Sequence, residues 1–183
     1  MAMKEQSVED LFYWLPAVTA AALVTIVTLL TPLFSSIVKH FQTLQAKNLF
    51  SKHSRALVVS AGPGHAVMAL KEMGLHDVTG AELVDSPPLV SRADPHNLPF
   101  FDNAFDLGFS VYLDRALFPD RYVREMERAV RVGGACVVAV EECGGEVVEE
   151  VVKLFRKSKV LGVRNVTMGG EKRTRIVMRV TSD

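Results

Sequence analysis

Residues 11–38 hold no charged side chain, and beyond them the chain breaks into short blocks of apolar and polar positions. The uncharged stretch opens with residues 11–30, twenty positions long. A helix rises 1.5 Å per residue, so one of that length matches the roughly 30 Å hydrocarbon core of a bilayer. Tyr13 and Trp14 stand at its start, where amphipathic rings suit the membrane interface. Pro16 falls in the first turns and Pro32 near the far end, so the pattern predicts a transmembrane helix over about residues 11–34. A cleaved signal sequence would want a basic leader and a shorter apolar core. Here Glu5, Glu9 and Asp10 precede the run. A buried core helix is the other alternative. Residues 39–55 carry Lys39, Lys47, Lys52 and Arg55 and no acid. They read as a basic, partly helical juxtamembrane linker between an N-terminal segment, residues 1–38, and a folded domain, residues 56–183. The positive flank predicts a single-pass protein with that domain on the cytosolic side.

The domain alternates strand and helix signals. Ala56, Leu57, Val58 and Val59 form a continuous apolar run, the mark of a strand covered on both faces. It breaks through Gly62, Pro63 and Gly64 into a helix over residues 66–73, stopped by Gly74. Residues 77–83 read as a second strand, and residues 84–100, with their prolines, serines and aspartates, as loop. A strand follows over residues 105–111. Pro119 opens a helix whose Tyr122, Val123, Met126, Ala129 and Val130 share one face, and Gly133-Gly134 ends it. Residues 135–140 form another continuous apolar strand. Valine pairs between charges predict a helix over residues 146–157. Residues 160–167 and 173–180, joined through Gly169-Gly170, predict a closing antiparallel hairpin. The order gives an α/β fold with an open, doubly wound sheet.

Charge adds little, because 21 basic residues balance 21 acidic ones. The basic residues do crowd into residues 151–180, which could face anionic lipid, a protein partner or simply solvent. No nucleic-acid motif accompanies them. Cys136 and Cys143 lack the spacing of a metal site, and no metal is expected; Cys136, inside a predicted strand, reads as a small buried hydrophobe.

Candidate chemistry gathers where strands end. Gly62 and Gly64 would bring backbone N–H groups and a helix N-terminus to the end of the first strand, the usual place for a nucleotide or nucleoside. Glu82 lies twenty residues past Gly62 at the end of the second strand, where a carboxylate can accept from ribose hydroxyls. Asp94 could reach the far edge of a bound base. Tyr112 and Asp114 follow the next strand; packing or capping roles suit both, and no catalytic residue is assigned.

ALVVSAGPGHA, VTGAEL, RADPHNLPFFDNAFDLGFS and REMERAVRVGG together resemble the Rossmann-like, S-adenosylmethionine-dependent methyltransferases of the small-molecule type 11 kind. The resemblance covers motifs over residues 56–142 and element order through residue 180. It implies that the glycine loop meets the methionine part of S-adenosylmethionine, that Glu82 holds the ribose and that the Asp94 loop meets the adenine. It also implies a seven-stranded sheet completed by the hairpin. Ser60 stands at a cofactor-facing position where the family usually has an acid. His65 is a bulky neighbour in the loop. The eleven residues between Glu82 and Asp94 leave no room for the family's usual helix. Two functions follow: a membrane-anchored methyltransferase for a small or lipophilic acceptor, or a non-catalytic accessory subunit of a membrane complex.

Overall fold

The computed structural model describes residues 32–182. One seven-stranded sheet runs through it in the order β3-β2-β1-β4-β5-β7-β6. The strands are β1 (Ala56–Val59), β2 (Val78–Glu82), β3 (Val90–Arg92), β4 (Phe105–Ser110), β5 (Val130–Glu141), β6 (Ser158–Met168) and β7 (Glu171–Val180). β3 through β5 are mutually parallel, whereas β7 enters antiparallel between β5 and β6. Helices α1 (residues 32–46) and α2 (His65–Glu72) cover one face, and α3 (Pro119–Ala129) and α4 (Gly145–Leu154) the other.

The pleat sorts the core into two layers. Ala56 and Val58 of β1 join Phe41, Leu70 and Phe109 on the α1–α2 face, while Leu57 and Val59 join Tyr122, Met126 and Ile176 on the other. This double coverage is why β1 and residues 135–140 of β5 are apolar at every position. The α/β class, the helix from Pro119 and the closing hairpin all match the sequence pattern. Gly169 and Gly170 turn that hairpin with φ of 60° and 83°, the left-handed pair a two-residue turn requires.

Three expectations need correcting. Residues 39–55 are not a linker: they supply Phe41, Leu44, Leu49 and Phe50 to the core. Residues 34, 37, 38, 41 and 44 recur at helical spacing, and Lys39 between them points to solvent. The loop over 84–100 contains a strand, β3, which finds its place because Gly80 leaves room for it. A Cβ on Gly80 would lie 2.9 Å from the Leu89 carbonyl oxygen and 2.8 Å from Val67. Gly133-Gly134 does not end α3; β5 begins at Val130, and Gly134 lies within it because a Cβ there would sit 2.8 Å from the Asp106 carbonyl oxygen. The helix after β5 forms, yet none of its residues is fully buried.

Most of the expected transmembrane helix lies outside the described residues. Its last positions, from residue 32 on, are the start of α1. Among the described residues no helix is long and apolar enough to cross a membrane.

Candidate functional site

The carboxyl ends of the parallel strands converge beside the loop that follows β1. Ser60 takes φ of 53°, Gly62 53° and Gly64 93°. The chain thus leaves the strand through left-handed residues before α2 begins. Gly64 is confined as well as left-handed, since a Cβ there would meet Leu89 Cβ at 2.9 Å. Gly62 is the opposite case: a Cβ on it would find nothing within 4 Å. Open space therefore lies against the loop backbone. α2 has no side-chain cap at Gly64, so its first N–H groups and dipole face this crevice.

Glu82 closes the other side. Its Oε2 accepts from the Gly62 N–H at 3.1 Å and its Oε1 from the Leu83 N–H at 2.8 Å. The carboxylate is thereby pinned at the crevice, and each oxygen keeps a lone pair for a further donor. Ser60 is aimed elsewhere. Its hydroxyl turns inward toward the Tyr122 phenol, which burial pushes up to about 12 while the Ser110 and Ser60 hydroxyls pull it back. Ser110 and Tyr122 lie 2.7 Å apart, and Ser110 Oγ also accepts from the Tyr112 N–H at 3.2 Å. Ser60 thus shapes the turn and its floor.

Asp94 sits two residues beyond β3 and is half exposed. Its Oδ1 accepts from the His96 N–H at 2.9 Å and faces His96 Nδ1 at 3.1 Å; the backbone bond is the main reason its carboxyl is held below the usual range. His96 in turn stacks edge-on against Phe118 and Tyr122. The structure thus brings Gly62, Gly64 and Glu82 together, with Ser60 beneath them and Asp94 one strand further, engaged with its own loop.

A cavity of about 180 Å³ adjoins the loop, lined by Ile37, Ala61, His65, Phe109, Tyr112 and Arg173 among others. His65 is exposed at the first turn of α2 and borders this space without filling the room over Gly62. The far wall depends on Arg173, which sequence reasoning missed. Although nearly buried, it donates to the Val111 carbonyl at 3.1 Å and to Asp114 Oδ2 at 3.2 Å, and it pairs with Glu171. Asp114 also accepts from the Glu141 N–H at 3.1 Å, a structural role. The only advance signal for Arg173 was its place in the alternating run of β7, where arginine reads as solvent-facing. Among the described residues no group of side chains is arranged to hold a metal ion.

Residues 57–138 match a family described as a methyltransferase domain. No curated protein sequence matches the chain. Solved structures share the fold widely. A putative S-adenosyl-L-methionine-dependent methyltransferase from Methanococcus maripaludis is 16% identical, with 90% of this chain and 93% of that one covered at a TM-score of 0.65. The 1,6-didemethyltoxoflavin-N1-methyltransferase of Burkholderia thailandensis, solved with its namesake substrate and S-adenosylhomocysteine, is 15% identical, covering 100% and 94%, at 0.62. The [4+2]-cyclase SpnF is also 15% identical, covering 87% and 95%, at 0.63. The chain therefore has a methyltransferase-like fold, and SpnF illustrates that this fold alone does not fix a reaction.

Proposed function

We propose that the domain binds S-adenosylmethionine against the β1–α2 loop and transfers its methyl group to a small or lipophilic acceptor, with residues 11–30 tethering it to a membrane. The observation that carries the binding half is the pairing of Glu82 with Gly62 beside open space. A carboxylate fixed at that spot can accept from ribose hydroxyls, while unhindered backbone at Gly62 admits close approach of a ligand. The match of residues 57–138 to a methyltransferase domain supports the same reading. So does the S-adenosylhomocysteine named for the Burkholderia thailandensis structure. Tethering is supported by the twenty uncharged residues of that segment.

A sulfonium methyl donor brings its own leaving group, so the chemistry asks the protein for alignment and exclusion of water more than for acids or bases. In this chain the β1–α2 loop and Glu82 would fix the donor. Phe109, Val111 and Ile37 would give the neighbouring cavity apolar walls that keep water out. Arg173, held by Asp114 and Glu171, sets the position of the hairpin wall and is a positioning residue. Partners remain part of the proposal: the membrane through residues 11–30, and other subunits of a membrane complex.

The test is ligand-linked stability. Millimolar S-adenosylhomocysteine should raise the melting temperature of the full chain in detergent. No shift at that concentration would end the enzymatic reading and leave the accessory-subunit one.

A further inference from the structure

Five of the twelve exposed large apolar side chains among the described residues lie at one end of the sheet. Leu83 and Val84 follow the last residue of β2, and Leu117 and Phe118 lie between β4 and α3. Leu33, at the start of α1, reaches the β6–β7 turn; a Cβ on Gly170 would lie 2.9 Å from its Cδ2. All five are between 37% and 83% exposed, and all sit at the carboxyl ends of the parallel strands, around the mouth of the candidate site. A scattered apolar residue needs no explanation, but a ring of them about one opening marks a contact surface.

The chain outside the structure says what that surface meets. Residue 32 lies at this same end, next to the β6–β7 turn, where the Gly169 N–H donates to Ser36 Oγ at 2.8 Å. Thr31 is the only residue between it and the uncharged run of residues 11–30. With no slack, a membrane-spanning segment there would hold this end of the domain against the bilayer. The lysines and arginine of the flank, Lys47, Lys52 and Arg55, come after α1 has run the length of the domain, so they lie at the opposite end. Acids (Glu82, Asp85, Asp94, Glu141, Glu142) and bases (Arg92, Arg115, Lys172) mix around the apolar ring, which suits a zwitterionic surface.

We infer that the carboxyl end of the sheet rests on the bilayer, with Leu33, Leu83, Val84, Leu117 and Phe118 in its interfacial layer, so that the site opens onto lipid. The inference rests on the tethering reading above and is independent of whether methyl transfer occurs. Full-length chain with Cys143→Ser is reconstituted into phosphatidylcholine vesicles containing a doxyl-labelled lipid; the buried Cys136 stays as it is. A bimane label is placed through Val84→Cys, Leu117→Cys or, as control, Phe101→Cys, which is more solvent-exposed than either but lies at the amino end before β4. Quenching at positions 84 and 117 should be at least twofold stronger than at 101. Equal quenching at all three, stronger quenching at 101, or failure of the chain to float with the vesicles would overturn the inference. Should one variant fail to fold, Leu83→Cys takes its place. The S-adenosylhomocysteine melting shift, read on the same samples, keeps the two ideas apart: a shift without differential quenching sinks the surface alone, and quenching without a shift sinks the cofactor site alone.

Discussion

The two halves of the sheet are built to different standards. On the β5–β7–β6 side, strands of 12, 10 and 11 residues pair in long antiparallel ladders, tied to the helices by buried polar groups. Glu127 of α3 is the centre of that binding. Almost wholly buried, it accepts from the Arg156 and Lys157 N–H groups, both at 3.1 Å, and from the Ser158 hydroxyl at 2.5 Å. On the β1–β2–β3 side, the edge strand is three residues long and no helix joins it to β2. Leu89 and Val90 do that helix's packing, lodged against Gly64 and Gly80. Yet the thin half carries the glycine loop and Glu82. The proposed cofactor contacts sit mainly in the thin half, and the firmest packing in the other.

The comparison can be broken most directly at Glu127. Glu127→Ala leaves three donors without their acceptor and should cost about 3–4 kcal/mol in urea unfolding. S-adenosylhomocysteine affinity of the folded fraction should not change. A tenfold loss of affinity would mean that the two halves are coupled. Gly64→Ala strikes the thin half. It forces a left-handed residue and a methyl group onto Leu89, for about 2–3 kcal/mol by the same measurement.

His40 lies on α1, over the seam between the halves. Its ring packs on Phe41 and Phe109, and neither nitrogen has a hydrogen-bond partner among the described residues. Burial, helped by the Arg175 charge, lowers its pKa from 6.5 to about 3. The folded state therefore holds His40 neutral while the unfolded chain can protonate it. Stability from this group is complete above pH 6.5 and drains away as pH falls toward 3. Between pH 7 and 5 the loss should be about 2 kcal/mol, and His40→Met should flatten that part of the pH–stability curve. An unchanged slope would refute the assignment. The smallest effect is expected at Glu82. Glu82→Gln should weaken S-adenosylhomocysteine binding about tenfold, or about 1.4 kcal/mol by calorimetric titration. The melting temperature of the ligand-free chain should hardly move, and a large drop would make Glu82 structural instead.

Much of this was legible in advance for a simple reason: buried strands advertise themselves by unbroken apolar runs, and Ala56 to Val59 and Ala135 to Val140 do so. Pro119 and the double glycine at 169–170 are equally local signals. What escaped depended on partners far along the chain. β3 is too short to carry a pattern and exists because Gly80 is opposite. The helicity around residue 40 was legible, but the basic flank drew attention from the apolar spacing of Phe34, Ile37, Phe41 and Leu44 that seats α1 in the core. Within the site, the Glu82–Gly62 pairing follows from position, whereas nothing local foretells that Asp94 turns to His96. Arg173 escaped because a charged side chain in a strand normally faces water, and here it is folded under Tyr112 and Val111.

The seating of α1 also has a practical consequence for anyone trimming this protein. A cut after residue 55, at the apparent start of the α/β pattern, would strip Phe41, Leu44, Leu49 and Phe50 from their bed and uncover Phe109. A soluble fragment has to begin no later than residue 32, and the hairpin turn that grips Ser36 must be kept with it.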